Sequence, residues 1–450
     1  MSDGLFHSQD ISIKSCTIFN SSGQPIEFKE MILEFNYFED IFNNGISGSL
    51  LVNDSMGYIN ILQLQGSEIL KLVLDKPGLE LPIQKTFRIY TISNRTTTNS
   101  TNENYFINFC SEEFYLNEQY MLSKSYTKLS ISDIVEDILL NDLYIQKSKV
   151  SIEKTTGLRD IIIPNIKPFR AINWLATCAL ADGSHNAGSP FLFYEDRDGF
   201  KFKSILTLFQ QPIYKTYEYS AKGLKDEKNE MVLDLNKEIV NVIQYEHIKN
   251  FDTITGVTSG AFANKMHTFD PLRLKLSETN FNYTKYNDQG VAKLNDYQLP
   301  ISAKNRAGDG IDDNPGVIKF CITTTGQSEN EYIKNKKVTI NENRVEETVP
   351  YRTAQIALFC SNRLKILIPG DFYMTIGRII QFNLPQISYN DKSRKKKNDE
   401  FFSGKYLVTA VRHLFNQDGK FVSCVEICKE SYTEQYASYN NSDPQWKELR

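Results

Sequence analysis

The strongest constraint in this sequence is a two-residue alternation that recurs through its first quarter. In Met31-Ile-Leu33-Glu-Phe35-Asn-Tyr37 the odd positions are apolar while Glu34 and Asn36 take the opposite face, which is how a half-buried strand is written. Comparable runs span Ile46 to Val52, Glu68 to Leu74, Phe87 to Ile92 and Tyr105 to Cys110. Turns at Asn20 to Pro25, Asn43-Asn44-Gly45 and Pro77-Gly78 separate them. Short strands at this spacing argue against a helical bundle and predict a barrel or sandwich over residues 1–118, with a short helix at Asp54 to Leu64 over one mouth.

The period then lengthens. Ser130 and Asp133 form a capping box ahead of Ile131, Ile134, Val135, Ile138 and Leu139, the stripe of an amphipathic helix. A second helix starts at Pro168, buries Phe169, Ile172, Leu175, Ala176 and Ala179, and stops at Asp182-Gly183. A hairpin follows, Phe191 to Glu195 with Phe200 to Ser204 across Asp196-Arg-Asp-Gly199. Residues 119–212 therefore read as a small α+β domain.

Strands return at Met231 to Leu235 and Ile239 to Ile248, and residues 251–350 look like an irregular insertion. A helix over Tyr351 to Asn362, behind Pro350, leads to strands at Leu364 to Ile368 and Met374 to Leu384. A hairpin of Tyr406 to Phe415 with Phe421 to Lys429 ends the block. Residues 213–250 and 351–430 thus predict a second barrel bracketing the insertion, and residues 431–450 an extended arm. The fold class is β-rich and multidomain, α+β overall. A length of 450 residues agrees, since it exceeds a typical domain of about 150 several times over.

Composition narrows the function. Hydrophobic residues at 40% and charged residues at 24% belong to a chain with real cores. Fifty-one lysines and arginines against 55 acidic residues leave a net charge of −4, so there is no global field to gather nucleic acid or an anionic membrane. No apolar run approaches the roughly 18 residues of a membrane span, and the start MSDGLFHSQD lacks the pattern of a secretory signal, so the expectation is a cytosolic product. The seven cysteines are scattered and read as small apolar fillers. The nearest pair, Cys424 and Cys428, would stand about 13 Å apart on a strand, beyond disulfide reach.

No catalytic constellation emerges. Histidines at 7, 185, 247, 267 and 413 have no zinc spacing around them. Gly45 to Gly48 and Gly256 to Gly260 miss the nucleophile elbow and read as bends. The doublets Glu112-Glu113 and Glu346-Glu347, if on strands, would point to opposite faces and could not flank one glycosidic bond. Asp309, Asp312, Asp313 and Asn314 lie in a glycine-bearing loop that fails the calcium-loop template and reads as acidic surface. The basic run Lys392 to Lys397 suits a solvated hairpin tip, with contact to a partner or to DNA as the alternative. No catalytic, cofactor-binding or metal residue is assigned, no cofactor is expected, and an enzyme is not.

Several longer stretches resemble baseplate hub proteins of contractile-tailed bacteriophages, which are related to VgrG-like hubs. They are Phe35-Asn-Tyr-Phe-Glu-Asp40 with Ile46-Ser-Gly-Ser49, Lys167-Pro-Phe-Arg-Ala-Ile-Asn-Trp-Leu175, and Phe193-Tyr-Glu-Asp-Arg-Asp-Gly-Phe-Lys-Phe202. The others are Pro350 through Asp371, Thr375 through Pro385, and Gly404-Lys-Tyr-Leu-Val-Thr-Ala-Val-Arg-His413. The resemblance implies two tube-forming barrels, an α+β domain and an insertion, assembled as a homotrimer that joins the tail tube to the central spike. It implies other baseplate proteins as further partners, a channel through which double-stranded DNA passes, and a place in the virion tail after assembly in the host cytoplasm. Two other functions fit less well. A hub or spike of a related injection or secretion system should continue into an OB-fold and a needle, and a tail peptidoglycan hydrolase would need a carboxylate pair.

Overall fold

The computed structural model describes residues 12–20, 22–62, 64–66, 68–75, 83–97, 102–181, 189–220, 235–250, 252–288, 291–299, 308–323, 345–386, 398–399, 401–417 and 419–434. Alternation does become strand at the start of the chain. β1 (Ser12–Phe19), β2 (Pro25–Glu27), β3 (Ile32–Asp40), β4 (Ser47–Asp54), β5 (Ile69–Asp75), β6 (Ile83–Thr97) and β7 (Glu103–Ser111) pair antiparallel along the path β3-β4-β7-β6-β5-β1-β2. Inward residues of these strands, among them Phe35, Tyr37, Leu50, Val52, Leu70, Leu72, Tyr105, Ile107 and Phe109, make one apolar core. The expected helix is Tyr58–Leu62, anchored where Asp54 accepts the backbone N–H groups of Met56 at 2.9 Å and Ile59 at 3.1 Å.

The second core lies under β8 (Leu122–Leu129), β9 (Val150–Ile152), β10 (Arg159–Ile166), β11 (Phe191–Asp196) and β12 (Gly199–Ser204). Ser130 caps the helix Ile131–Asp137 by accepting the Asp133 N–H. The helix Pro168–Cys178 opens on its proline, whose missing N–H is one the first turn leaves unbonded anyway. The stop expected at Asp182-Gly183 lies outside the described residues.

A third set of strands runs in a ring. β13 (Ile213–Tyr219) is followed by β14 (Asn241–Val242) and β15 (Gln244–Asn250), separated by Ile243 alone. The inserted stretch adds β16 (Ala263–Asp270), β17 (Lys275–Asn282), β18 (Tyr297–Gln298) and β19 (Val317–Ile322). The chain then returns with β20 (Asn362–Pro369), β21 (Ile379–Asn383), β22 (Gly404–Asn416), β23 (Phe421–Lys429) and β24 (Ser431–Tyr432). Pairings run β13-β21-β22-β23-β20-β15, and β14 pairs with β13 again.

One strand belongs to both systems. Residues 404–407 of β22 pair with β21, and residues 410–416 of the same edge pair with β3, while its other edge follows β23. A register shift between Val408 and Ala410 marks the change of partner, and there Thr409 accepts the Ile41 N–H at 2.8 Å. Phe372, Phe415 and Phe421 consequently enter the core of the first strand system, so that core is not confined to residues 1–118. Asn36, expected on an open face, is buried because β22 covers it, and Arg412 donates to its side-chain oxygen at 2.8 Å.

Other expectations need correction. Residues 251–350 are not simply irregular: β16 pairs antiparallel with β17 and parallel with β19, a link between residues about fifty apart that no local pattern displays. The helix expected at Tyr351 to Asn362 is Val345–Phe359, with Pro350 inside it, and Asn362 already opens β20. The strand expected at Met231 to Leu235 falls on 231–234, outside the described residues, and Leu235–Val240 is helical; Leu235 and Ile239 stand at the four-residue spacing of one helix face. Ser431–Tyr432 is not an arm but β24, paired with β18, and Tyr432 is buried. The turn at Pro77-Gly78, the basic run Lys392 to Lys397 and the aromatic-bearing end 435–450 lie outside the described residues.

Candidate functional site

The residues weighed for chemistry do not come together. Glu112 and Glu113 open the helix Glu112–Gln119 rather than lying on a strand, and they pair with Arg88 at 2.7 Å and Lys149 at 3.8 Å. Glu346 lies in the first turn of the helix Val345–Phe359 and accepts the Thr268 hydroxyl at 2.7 Å. In the acidic loop Asp312 accepts from Thr284 and Asp313 from the Gly310 N–H, each at 2.6 Å, so these carboxylates are engaged by their own surroundings. Among the described residues no three His, Cys, Asp or Glu side chains gather as metal ligands would. The stretch expected as a bend at Gly256 to Ser259 is part of the helix Thr253–Ser259, which ends on Gly260 at a φ of 77°. His7 and His185 lie outside the described residues.

What does converge is the set of stretches that carries the resemblance. Glu39 on β3 is buried and accepts three hydrogen bonds, from the Tyr37 hydroxyl at 3.0 Å, the Ile376 N–H at 3.2 Å and the Thr375 hydroxyl. Glu195 on β11 accepts the Ile46 N–H at 3.0 Å. Asn44, between β3 and β4, donates to the Phe193 carbonyl at 2.7 Å and accepts from Asn173 of the Pro168–Cys178 helix at 2.7 Å. Beyond β11, Arg197 lies over the Tyr373 ring at 4.3 Å, and its backbone carbonyl accepts from Lys85. Gly377 has a φ of 76°, and a Cβ there would sit 2.4 Å from the Tyr194 hydroxyl oxygen, so this loop position needs glycine on both counts.

The loop 370–378 is pinned from behind as well. His413 on β22 is buried between the Met374 carbonyl, 3.1 Å from Nε2, and the Ser423 hydroxyl, 2.8 Å from Nδ1. A carbonyl only accepts, so Nε2 carries the proton and Nδ1 accepts from Ser423, whose oxygen in turn accepts the Asp371 N–H at 3.2 Å. Asp371 accepts from Lys215 at 2.7 Å and from the Tyr214 hydroxyl at 2.9 Å, which ties β13 into the same cluster.

Electrostatics follow burial. Burial raises Glu39 to about 7, with the Asp196 charge adding to it and three hydrogen bonds opposing. Burial, with Glu113 nearby, raises Glu195 to about 8. Burial lowers His413 to about 4, which favours the neutral ring its partners require. Burial pushes Asp371 up, but the Lys215 charge and hydrogen bond, with the Tyr214 hydroxyl, outweigh it and leave the carboxyl below its ordinary value. Lys85 is lowered by burial. Every acid and base here is held by neighbours that belong to the fold. The arrangement fixes position; it offers no exposed nucleophile beside a base.

Reading the sequence for reaction chemistry missed this junction, because it consists of buried polar residues inside strand patterns. The signal lay in those patterns: a glutamate in Tyr37-Phe-Glu39 and one in Tyr194-Glu195, each at a position where an apolar residue would have packed.

The chain matches no protein-family model. The probable baseplate hub protein gp334 of Vibrio phage KVP40 is 22% identical over 394 residues, 86% of this chain and 88% of that protein. Among solved structures, a tail protein from Neisseria meningitidis MC58 covers 92% of this chain and 96% of its own, at a TM-score of 0.50 and 10% identity. A 43 kDa tail protein of prophage MuSo2 from Shewanella oneidensis covers 93% and 98%, at a TM-score of 0.48 and 9% identity. Over most of its length the chain is therefore similar in sequence to a phage baseplate hub protein and in fold to a tail protein, in keeping with the resemblance that its converging stretches carry.

Proposed function

We propose that this chain is a structural baseplate hub of a contractile phage tail, a homotrimeric ring that joins the tail tube to the central spike, contacts other baseplate proteins and leaves a channel for double-stranded DNA. The observation that carries the reading is the double pairing of β22, which fuses two strand systems side by side in one chain. We take residues 1–118 and residues 213–250 with 351–430 as two barrels, 119–212 as an α+β domain and 251–350 as an insertion. Three copies then supply six comparable β units, so a threefold ring can meet a sixfold tube. Ring closure uses heterologous contacts, the first barrel of one chain against the second of the next. A net charge of −4 suits a channel, since each phosphate held by lysine or arginine would retard the passage of DNA. The chain acts by shape and is not an enzyme in this reading. It works in the virion tail after assembly in the host cytoplasm.

Native mass measurement of the purified chain should give three copies, and imaging of the assembly should find both β units at one radius around one channel. A monomer in the assembled tail, or β units stacked along the axis, would overturn the proposal.

A further inference from the structure

We propose that the cavity where the inserted stretch meets the strand ring is a binding site for a small primary alkylammonium ion. Segments distant in sequence close around it: the helix Ile205–Phe209, the helix Tyr283–Asn287, the helix Val345–Phe359, and the link between β23 and β24. Phe209, Tyr283, Tyr286 and Phe359 supply rings to its walls. Such walls keep water from polar groups, yet two side chains that line them carry orphaned acceptors. Gln355 donates its amide to the Tyr286 hydroxyl, and its own oxygen, Oε1, is buried with no partner among the described residues. Glu430 accepts the Leu294 N–H at 2.8 Å and the Ser431 hydroxyl at 2.9 Å, both on Oε1, and its Oε2 is likewise buried and unpartnered. Gln355 and Glu430 line this same cavity. A buried acceptor without a donor destabilises the fold, and native chains seldom keep one unless something outside the chain donates to it.

Two acceptors, one of them a carboxylate, call for a guest with positive charge and several N–H bonds. A primary ammonium has three donors and one charge. It can serve Gln355 and Glu430 together, and the faces of the surrounding rings attract it as well. Its alkyl tail packs on the apolar walls. Size sets the limit: the space measures about 50 Å³, and at roughly 10–15 Å³ for each water-sized group it holds about four of them. Propylammonium, three carbons and one nitrogen, matches that. Lys293 lines the cavity too. Burial lowers its ammonium against the opposing pull of Glu430 and Asp288, yet Glu430 Oε2 accepts no hydrogen bond from it. A guest ammonium competes with Lys293 for the carboxylate, whereas a guest anion needs Lys293. The bound ion would brace the inserted stretch against the strand ring, because its two acceptors stand on different segments. The inference goes beyond the hub reading, and its test does not depend on it.

The test uses the full-length purified chain at pH 8 and constant ionic strength. Propylammonium chloride, propan-1-ol and sodium propionate are each titrated, with binding read by saturation-transfer NMR of the small molecule. The expected result is saturable binding of propylammonium, about tenfold or more tighter than that of the alcohol or the carboxylate. Glu430→Gln should weaken it by about tenfold or more, and Lys293→Ala should leave it unchanged or tighten it. Should Glu430→Gln fail to fold, the preference of the parent chain among the three probes and the Lys293→Ala titration carry the test. No saturable binding of propylammonium, propionate binding as tightly, undiminished binding by a folded Glu430→Gln, or loss of binding in Lys293→Ala would overturn the proposal.

Discussion

Substituting Glu39 with glutamine separates what the junction gains from hydrogen bonds from what it loses to a buried charge. The carboxyl is raised from 4.5 to about 7 in the folded chain, and at about 1.4 kcal/mol per unit this gap is worth about 3 kcal/mol. Between pH 4.5 and 7 the folded chain binds more protons at this site than the unfolded chain does, so its contribution to stability falls as pH rises through that window and is constant above it. Glutamine carries no titrating proton. Its oxygen can still accept from Thr375 and Ile376, and its amide can donate to the Tyr37 hydroxyl. Relative to the parent, Glu39→Gln should therefore gain about 3 kcal/mol between pH 4.5 and 8. Glu195 and His413 titrate in both proteins and cancel in the difference. The assay is urea unfolding of the two full-length chains at matched pH values, followed by tyrosine and tryptophan fluorescence. Parallel pH profiles would show that Glu39 is not the buried acid its surroundings make it. Glu39→Ala, which strands three buried donors, should instead lose about 3 kcal/mol or more at pH 4.5, and because it too carries no titrating proton that loss should shrink by about 3 kcal/mol by pH 8.

Further expectations concern packing, capping and contacts. A Cβ at Gly370 would lie 2.0 Å from the Phe421 ring, itself stacked on Phe415 at 4.2 Å, so Gly370→Ala should lower stability by at least about 2 kcal/mol, read as a lower melting temperature. Phe421→Ala should cost about 3–5 kcal/mol and quicken amide exchange in β3 and β22 together; exchange confined to β23 would contradict the shared core. Ser130→Ala should cost about 1 kcal/mol, with faster exchange limited to the helix it caps. Removing residues 435–450, which hold Tyr436, Tyr439 and Trp446, should leave the melting temperature unchanged and weaken binding to a tail neighbour in pull-down.

Local signals were decided by the sequence wherever a segment's own pattern settles its structure. β4 buries every second residue as its alternation requires. The capped helix after Ser130, the proline-led helix at Pro168 and the hairpin across Asp196 to Gly199 all follow from neighbouring residues. Such features rest on backbone geometry within a few residues, so a single chain displays them.

Tertiary structure decided what depends on residues distant in sequence. Nothing local says that β22 changes partner after Val408, that β19 will lie parallel to β16, or that Phe372 and Phe421 will fill the first core. Pro350 lies inside its helix, although its ring alone suggested a boundary. The buried junction is the clearest case. Glu39, Glu195 and His413 read as ordinary polar residues until β3, β11 and β22 exclude water from them, and only then do their carboxyl and imidazole groups need partners from the loop 370–378, from Ile46 just before β4, and from β23. Hydrogen bonding and desolvation act through space, whereas sequence periodicity reports only along the chain.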